Sequence, residues 1–344
     1  MGLREYIIRR LILVFPVVLG AILLVFAITQ LIPPASRAML YVRNENDVRN
    51  LPNIIRAYHL DASPLEQFLI WFNQVLQGNL GWSRVGRGPV LQLILSKWPA
   101  TIEIVMFAAP LIIFFGIYLG VLSAVYRDKP LDHATRLFSI SGYSLPSFWL
   151  GLVFLSLAYT LTGATITGRV SSDVDNIVKN VYLWHRWTGL YTIDGIINGR
   201  FDIVLDALKH LVMPVAVITI INVAGLIRLM RSSMLEALTK GYIVTARAKG
   251  LKKSQVINKH ARRNALIPVI TVSGLMVAGL LSGLVITETV FAFEGIGSWA
   301  GASAVQLDIA AVVGFTLFTG LLFVLSNLIV DVLYAYIDPR IRLG

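Results

Sequence analysis

Six apolar stretches of this sequence run for 17 residues or more without a Lys, Arg, Asp or Glu. An α-helix rises about 1.5 Å per residue, so roughly 20 residues cross the hydrocarbon layer of a membrane. Five stretches reach that length, and Leu211–Ile227 reaches it only with its flanks. The sequence therefore predicts an all-α membrane protein with six transmembrane helices, over Leu11–Ile32, Ile104–Tyr126, Leu137–Thr162, Leu211–Ile227, Ala265–Thr287 and Ile309–Val330.

The first of these stretches follows a basic segment and could be mistaken for a signal peptide. Arg4, Arg9 and Arg10 precede it, but its 22 residues are too many for an ordinary signal sequence. A small-x-small cleavage site is not evident after it. We therefore expect a retained first transmembrane helix.

The composition points to a membrane domain without a separate soluble catalytic domain. Of the 344 residues, 56% are hydrophobic and only 14% are charged, whereas soluble domains carry roughly 25% charged residues. Cysteine is absent, which excludes a disulfide framework, a thiolate metal site and a cysteine nucleophile. The formal charge of +11 is explained by basic residues that flank membrane spans on the cytoplasmic side and meet anionic lipid.

The positions of the basic residues predict the orientation. Residues 228–264 contain ten basic residues and one acid, whereas residues 288–308 contain three acids and no base. The N-terminus, the turn at 127–136 and the C-terminus are also basic. With six spans these four basic regions share one side, so both termini are predicted to be cytoplasmic in a multi-pass protein of the cell membrane.

This orientation divides the chain into three parts. Residues 1–32 form a tail and the first helix, residues 33–103 an extracytoplasmic loop, and residues 104–344 the core transmembrane domain. Within that core lie a second outside loop at 163–205, read as a small folded cap, and a cytoplasmic loop at 232–264. In the first outside loop the motif SPLE at 63–66 predicts a capped helix that Gly78 ends. Its apolar residues recur at helical spacing, which predicts an amphipathic helix on the membrane or on other spans.

The cytoplasmic loop carries the strongest functional signal. The stretch YIVTARAKGL at 242–251 continues to KHARRNALIPVIT at 259–271. Gly250 fits the left-handed position that ends a first short helix, and Ser254 is suited to cap a second helix that runs into the fifth span. Ala246 and Ala248 would allow close approach of a partner, and the basic residues around them would meet its acidic groups. We interpret this helix–turn–helix as a docking element for a soluble protein.

At these residues the chain resembles the permease subunits of ABC importers, and most of all the dipeptide/oligopeptide/nickel family, as the first of its two paired permeases. The 242–271 stretch is similar to that family's EAA loop, with Val244 and Thr245 at positions where the general motif has Glu and Ala. The similarity covers nearly the whole chain. Supporting motifs are REYIIRRLILVFPVVLGAILLVF at 4–26, QGNLGWS at 77–83, SLPSFWLGL at 144–152, TGLYTIDGI at 188–196 and ETVFAFEGIGSW at 288–299, where Glu294 replaces the usual Pro.

The resemblance implies a type I importer permease fold, in which the helix 242–249 is a coupling helix seated in a separate ATPase chain. It implies as partners a second homologous permease, two ATP-binding subunits that use ATP and Mg, and an extracytoplasmic solute-binding protein, in addition to membrane lipid. The residues that would couple to the ATPase are Tyr242, Thr245, Ala246, Arg247, Ala248, Lys249, Gly250 and Leu251. Those that would support the loop are His260, Arg263, Asn264 and Pro268.

The chain shows no motif for catalysis, for a metal site or for a cofactor of its own. It has no GxxxxGK[ST], no HExxH and no nucleophile elbow. We therefore predict no enzymatic activity in this chain. Asn222 is the best polar candidate for the translocation path within a span, and Glu288 and Phe291 are further candidates. The end positions of Glu288, Glu103 and Asp331 favour anchoring or partner contacts over proton transport.

Other functions remain open at this point. Peptides are the expected cargo on family frequency, with oligosaccharides and nickel chelates as alternatives within the same importer class. A stand-alone channel or secondary transporter would show intramembrane charges or inverted repeats, and neither is clear here. A membrane-bound DNA-binding regulator is disfavoured, because the 242–266 helix pair is tethered to spans at both ends, and we predict no nucleic-acid partner.

Overall fold

A computed structural model describes residues 3–42, 44–180 and 184–337, and this part of the chain is almost entirely helical. Its α-helices are α1 (Leu3–Thr29), α2 (Pro34–Arg37), α3 (Glu45–Val48), α4 (Leu51–Ala57), α5 (Pro64–Leu76), α6 (Val90–Val125), α7 (Pro130–Ser144), α8 (Ser147–Thr162), α9 (Ser172–Lys179), α10 (Tyr191–Ile197), α11 (Phe201–Thr239), α12 (Gly241–Ala248), α13 (Lys253–Gln255), α14 (Arg262–Leu281), α15 (Val285–Val290), α16 (Ile296–Val305) and α17 (Ile309–Ile337). A 3₁₀ turn spans Ala38–Leu40, and a π-helical segment spans Val256–Ala261. Two short antiparallel strands, β1 (Trp82–Ser83) and β2 (Gly88–Pro89), form a hairpin before α6.

Among the described residues, five helical segments are long and apolar enough to span a membrane, and the bent pair α7–α8 brings the number to six if it counts as one span. The all-α fold predicted from the sequence is confirmed. The prediction of one continuous helix over Leu137–Thr162 is wrong, because the chain bends by 100° between α7 and α8. Pro146 causes this break: it disfavours helical backbone at Leu145, which is extended with φ −77° and ψ 125°.

The other spans differ from their predicted limits mainly in length. The helix α6 begins at Val90, well before Ile104, and α11 extends from Phe201 to Thr239, far beyond Leu211–Ile227. Charged and polar flanks therefore continue these helices beyond the apolar core. The fifth span ends early, at Leu281, because Gly283 adopts φ +127° and the chain turns into α15.

The helices α6 and α11 form the centre of the bundle and run in the same direction. Gly116 lies against Leu226 and Gly120 lies against Met230. Residue numbers therefore increase in the same direction along both helices at their contact. A Cβ atom at Gly120 would lie 2.5 Å from Met230 Cβ, so the glycine allows the two backbones to approach closely. Because the helices are parallel, residues 126–200 must return the chain across the membrane between them.

Two buried ion pairs mark the ends of that crossing. At one end Glu103 on α6 accepts a bond from Arg169 Nη2 at 2.7 Å. At the other, Asp132 on α7 accepts bonds from Ser123 Oγ at 2.6 Å and from Arg231 Nε at 2.7 Å. Glu103 and Ser123 lie on the same helix, separated by about 30 Å, the thickness of the hydrocarbon layer. The bent pair α7–α8 therefore spans this distance as one broken crossing, which supports six spans.

On the other side of the bundle, α14 packs against α17 in the opposite direction. Gly274 faces Val330, and Gly279 faces Phe323. The helix α17 also contacts α1. At its start, Asp308 accepts bonds from Ser83 Oγ at 2.7 Å and from the backbone N–H of Val85 at 2.9 Å. The hairpin is thus fastened to the last span.

The amphipathic helix α5 begins as predicted, with Ser63 Oγ accepting a bond from the N–H of Glu66, and ends before Gly78, whose φ is +77°. Trp71 packs on Phe26 of α1, with ring centroids 5.4 Å apart. Phe68, Ile70 and Val75 also pack partly buried against the core. Other positions reverse the expected polarity: the polar residues Gln67 and Gln74 are buried, whereas Leu65, Leu69 and Leu76 are exposed.

This reversal has a local cause. The Arg37 side chain is 8% exposed, and its guanidinium donates bonds to the side chains of Gln67 and Gln30 and to the carbonyl of Leu60. A buried guanidinium needs oxygen acceptors, and Gln67 supplies one of them. The leucines are left on the outer surface, where membrane lipid can cover them.

Candidate functional site

The cytoplasmic end of α11 leads directly into the short helix α12. Lys240 is extended, with ψ 149°, and separates the two helices. Ile243 and Ala246 are buried at 0% and 6% exposure, and their spacing of three residues places them on one face of α12. This face packs against the apolar cluster that includes Met234 and Val256. The apolar contact holds α12 against the bundle.

The outer face of α12 is open. Thr245 and Ala248 are exposed along it, and Tyr242 retains 40% of its accessible surface. Partial burial raises the pKa of the Tyr242 phenol, which therefore stays a neutral hydrogen-bond donor. Arg247 and Lys249 are also exposed. The prediction that Ala246 faces a partner is wrong for this structure, because Ala246 shares the buried face with Ile243.

The turn after α12 has the geometry predicted for Gly250. Its φ is +73°, its N–H bonds to the carbonyl of Arg247 at 2.9 Å, and the N–H of Leu251 bonds to the carbonyl of Ala246 at 3.3 Å. These two bonds form a Schellman motif, which satisfies carbonyls at the helix end and favours glycine at the left-handed position. The prediction for Gly250 is confirmed, and the direction of the chain after α12 is set by backbone geometry.

The second helix of the loop begins earlier than predicted. Lys252 is its N-terminal cap, and the Lys252 N–H donates to Gln255 Oε1 at 3.2 Å. Ser254 therefore lies inside α13 and does not cap it. The chain then passes through the π-helical segment Val256–Ala261 and continues into α14. Such segments are rare and often occur at functional positions.

The predicted support residues lie in and after this π-helical segment. The carbonyl of His260 accepts a bond from Asn264 Nδ2 at 2.7 Å, which links the segment to the first turn of α14. Arg263 is exposed, and Pro268 lies exposed within α14. Between the loop and the ends of α6 and α11 is a cavity of about 480 Å³, lined by Val125, Leu238, Arg247, Leu251, Lys253, Val256 and Ile257.

The three candidates for the translocation path differ in their accessibility. Asn222 is half-buried, and its Nδ2 donates to the carbonyl of Ile218 on its own helix at 2.8 Å. Glu288 and Phe291 are enclosed, at 0% and 1% exposure, so neither lines an open path in this conformation.

Glu288 is buried and has a structural role instead. It accepts bonds from Thr101 Oγ1 at 2.6 Å and from the N–H of Ser298 at 2.7 Å. These contacts join α6, α15 and α16, so Glu288 holds the outer end of the bundle together. The expectation of an anchoring residue at this span end agrees with the geometry.

Arg228 on α11 was not singled out from the sequence. It follows Asn222 by six residues, which places it about 9 Å further along the helix and about 120° around it. The Arg228 side chain is exposed, and its guanidinium carbon lies 4.7 Å from the centre of the Tyr143 ring. In the sequence Arg228 was counted only among the basic flanks that indicate the cytoplasmic side.

Within the described residues, no group of three or more His, Asp or Glu side chains is arranged to hold a metal ion. The features described in this region are an exposed short helix, a turn fixed by backbone bonds and long packed helices.

The family model described as "Binding-protein-dependent transport system inner membrane component" matches residues 116–343, which include the whole cytoplasmic loop. The chain belongs to this family. The matched region contains α12, Gly250 and the spans on either side, so the exposed helix described above is part of a transport permease.

Similar proteins extend the match to almost the full length. The chain is 39% identical over 333 residues to the "Probable D,D-dipeptide transport system permease protein DdpB" of Escherichia coli, covering 95% of this chain and 94% of that protein. It is 37% identical over 339 residues to the "Di/tripeptide transport system permease protein DppB" of Pseudomonas aeruginosa, with 98% of each chain covered. It is 34% identical over 338 residues to the "Oligopeptide transport system permease protein AppB" of Bacillus subtilis, covering 98% and 99%. The family resemblance inferred from the sequence is confirmed for this permease.

Proposed function

We propose that this permease forms half of the membrane pathway of an ATP-driven importer for dipeptides and oligopeptides. The observation that carries the proposal is the helix α12. It is anchored by Ile243 and Ala246, ends at a left-handed Gly250 and exposes its remaining face to the cytoplasm. The peptide cargo is inferred from the relatives, whose names specify D,D-dipeptides, di/tripeptides and oligopeptides.

The chain would work as one member of a larger assembly. A second homologous permease would complete the pathway, two ATP-binding subunits would bind and hydrolyse ATP with Mg, and an extracytoplasmic binding protein would deliver the peptide. The description of the family as binding-protein-dependent supports the last partner. Both termini would be cytoplasmic, in agreement with an even number of crossings and with the basic cytoplasmic flanks.

The packing around α12 suggests how ATP-driven motion would enter the membrane. Closure of the two ATPase chains would move α12 as a rigid body. The movement would pass backward into α11, from which Lys240 alone separates it, and forward through Gly250 and the π-helical segment into α14. Packed helices transmit a rigid-body shift, whereas a flexible loop would absorb it. Residues such as Tyr242 and Arg247 would contact the ATPase.

Reconstitution would test this function. The permease pair, the ATPases and the cognate binding protein are placed in proteoliposomes, and uptake of a labelled dipeptide is measured with and without ATP. We expect ATP-dependent uptake that requires the binding protein, and ATPase activity that rises with the loaded binding protein. Uptake of an oligosaccharide or a nickel chelate in place of peptide would show that this molecule, and not a peptide, is the cargo. Uptake by the chain alone, without ATPases, would favour a channel or secondary transporter.

A further inference from the structure

The extracytoplasmic end of the chain contains a cavity of about 740 Å³, which we call the cap cavity. It is bounded by the start of α6 at Ser96 and Lys97, by residues 168–172, by residues 184–186, and by the turn at Ala292 and Glu294. Cavities of roughly 300–1,000 Å³ are typical of sites for small molecules. The cap cavity is therefore large enough for a short peptide.

The walls of the cap cavity are held in place by bonds from several elements. Arg169 donates to Glu103 on α6, and Thr192 donates to the same carboxylate from its N–H at 2.7 Å. The Ser171 N–H donates to Asp206 on α11 at 2.7 Å. The Gly168 N–H donates to the carbonyl of Phe291 at 2.8 Å. The cavity is thus preformed, which reduces the cost of ordering it around a ligand.

Positive charge exceeds negative charge along the lining. Lys179 pairs with Asp175, and Lys97 lies 4.0 Å from Glu294. Arg169 pairs with Glu103 outside the lining. Arg186 is different: its Nη2 donates to the carbonyl of Ser96 at 2.7 Å, and it forms no ion pair with any acid in the part of the chain that is described. Arg186 is therefore available to an anion.

Two buried donors in the same lining also lack an acceptor among the described residues. They are Nε of Arg169 and Nε1 of Trp184, whose side chain is only 3% exposed. An unpaired buried donor costs free energy, and a guanidinium or indole N–H can only donate. Both atoms are covered in this conformation, whereas the Arg186 side chain is exposed. A ligand with oxygen acceptors would bind Arg186 directly, and a small side-chain shift in the wall would let it satisfy the two covered donors.

We propose that the cap cavity binds the C-terminal carboxylate of the transported peptide on its way from the binding protein to the pathway. This inference rests on the proposed function. Arg186 is the primary partner of the carboxylate, and Trp184 and Arg169 are lining residues whose covered N–H groups would become partners of the neighbouring carbonyl oxygens after a small side-chain shift. The carboxylate of Glu294, 78% exposed at the mouth, faces the ammonium end of a short peptide. A cavity of this design distinguishes a free carboxylate from an amide.

The test uses the assembled complex of both permeases and the ATPases in lipid nanodiscs, without ATP and without binding protein. Equilibrium binding is measured for labelled L-alanyl-L-phenylalanine and for its C-terminal amide. We expect the acid to bind about tenfold more tightly than the amide, because the charge-assisted bond to Arg186 is lost in the amide. Arg186→Gln should weaken binding of the acid by about tenfold, and should change binding of the amide little.

Two further variants and one control sharpen the result. Arg186→Lys keeps the charge and should recover part of the affinity for the acid, and Trp184→Phe removes the indole donor and should weaken binding a few-fold. Arg200→Gln is the matched control, because Arg200 lies on the same side of the protein, outside the cap cavity, and pairs with Asp202. It should leave both affinities unchanged.

Three results would overturn the inference. They are equal affinity for acid and amide, an Arg186→Gln variant that binds the acid like the wild type, and no saturable binding up to about 10 mM. If Arg186→Gln instead weakens capture of the binding protein and leaves peptide affinity unchanged, the cavity receives an acidic side chain of that protein. Uptake by the wild-type system is measured in parallel: peptide import without carboxylate-dependent binding rejects this inference alone, whereas absence of peptide import rejects the proposed function.

Discussion

The helix α12 and the cap, at opposite ends of this permease, are held in place by different kinds of interaction. The helix α12 is fixed by two apolar residues, Ile243 and Ala246, and by the backbone turn at Gly250. The buried pair Asp132–Arg231 at the same end joins α7 to α11. At the extracytoplasmic end, the cap is fixed by a buried ion pair between Glu103 and Arg169. Apolar contacts tolerate small displacements, whereas buried charges require defined partners. We infer that α12 can be displaced by a partner, whereas the cap keeps its shape.

The largest expected effect concerns the cap. Glu103→Ala would leave the Arg169 guanidinium, which is 10% exposed, buried without its carboxylate. Breaking a buried pair by removing one partner typically costs about 3–5 kcal/mol. We expect a fall of several degrees in the thermal unfolding midpoint of the purified protein in detergent. Glu294→Ala, which removes an exposed carboxylate, serves as the control. Equal unfolding midpoints for the two variants would show that the Glu103–Arg169 pair does not stabilise the cap.

The next effect concerns the turn after α12. Gly250→Pro is incompatible with φ +73°, because the proline ring holds φ near −65°. We expect the protein to insert normally and ATP-dependent uptake to fall more than tenfold. Gly241→Ala is the matched control, because a Cβ atom there meets nothing within 4 Å. Normal uptake by the proline variant would show that the path through Gly250 transmits no motion.

A smaller effect is expected on the exposed face of α12. Arg247→Glu reverses a charge without touching the buried anchors, so folding should be unchanged. Loss of an attraction and gain of a repulsion at an interface should weaken ATPase association by about 1–2 kcal/mol, with strong dependence on salt. Co-purification and titration of the ATPase subunits measure it. Lys259→Glu, exposed outside α12, is the comparison, and equal losses in both variants would indicate a general charge effect.

The smallest effect lies between the two ends, at Asn222. Within the part of the chain that is described, its amide bonds only to the carbonyl of Ile218 on its own helix, so Asn222→Leu should change stability by less than about 1 kcal/mol. If Asn222 lines the pathway, the apolar side chain should lower uptake several-fold while the complex still assembles. Wild-type uptake by the assembled variant would remove Asn222 from the pathway.

Sequence patterns predicted the spans and the turn at Gly250 because each depends on local information. An apolar stretch free of charges identifies a span wherever its partners lie, and a glycine after a short helix identifies its end. The break at Pro146 was also readable in principle, but proline is tolerated inside membrane helices elsewhere in this chain, including Pro110 and Pro214. Composition alone does not distinguish the two outcomes.

The features that the sequence did not predict depend on contacts between distant residues. Gln67 is buried on α5 because Arg37 lies behind it. Glu288 is enclosed, and does not line an open path, because Thr101, far away in the sequence, donates a bond to it. The cap cavity depends on Arg186 lying beside the start of α6. No periodic pattern in the sequence predicts that contact. The sequence shows each of these residues, but it does not show which distant residues contact them.

The length and path of α11 link the two ends. Its 39 residues, Phe201–Thr239, extend for about 58 Å. Asp206, near the start, accepts a bond from the backbone of Ser171, and Thr239, at the end, lies beside α12. Gly116 and Gly120 join it closely to α6 over the membrane. If α12 docks on an ATPase as proposed, α6 and α11 would act as one lever between α12 and the cap cavity. A tilt imposed at α12 would then displace the cap at the same moment, so that energy use and solute release would be a single step.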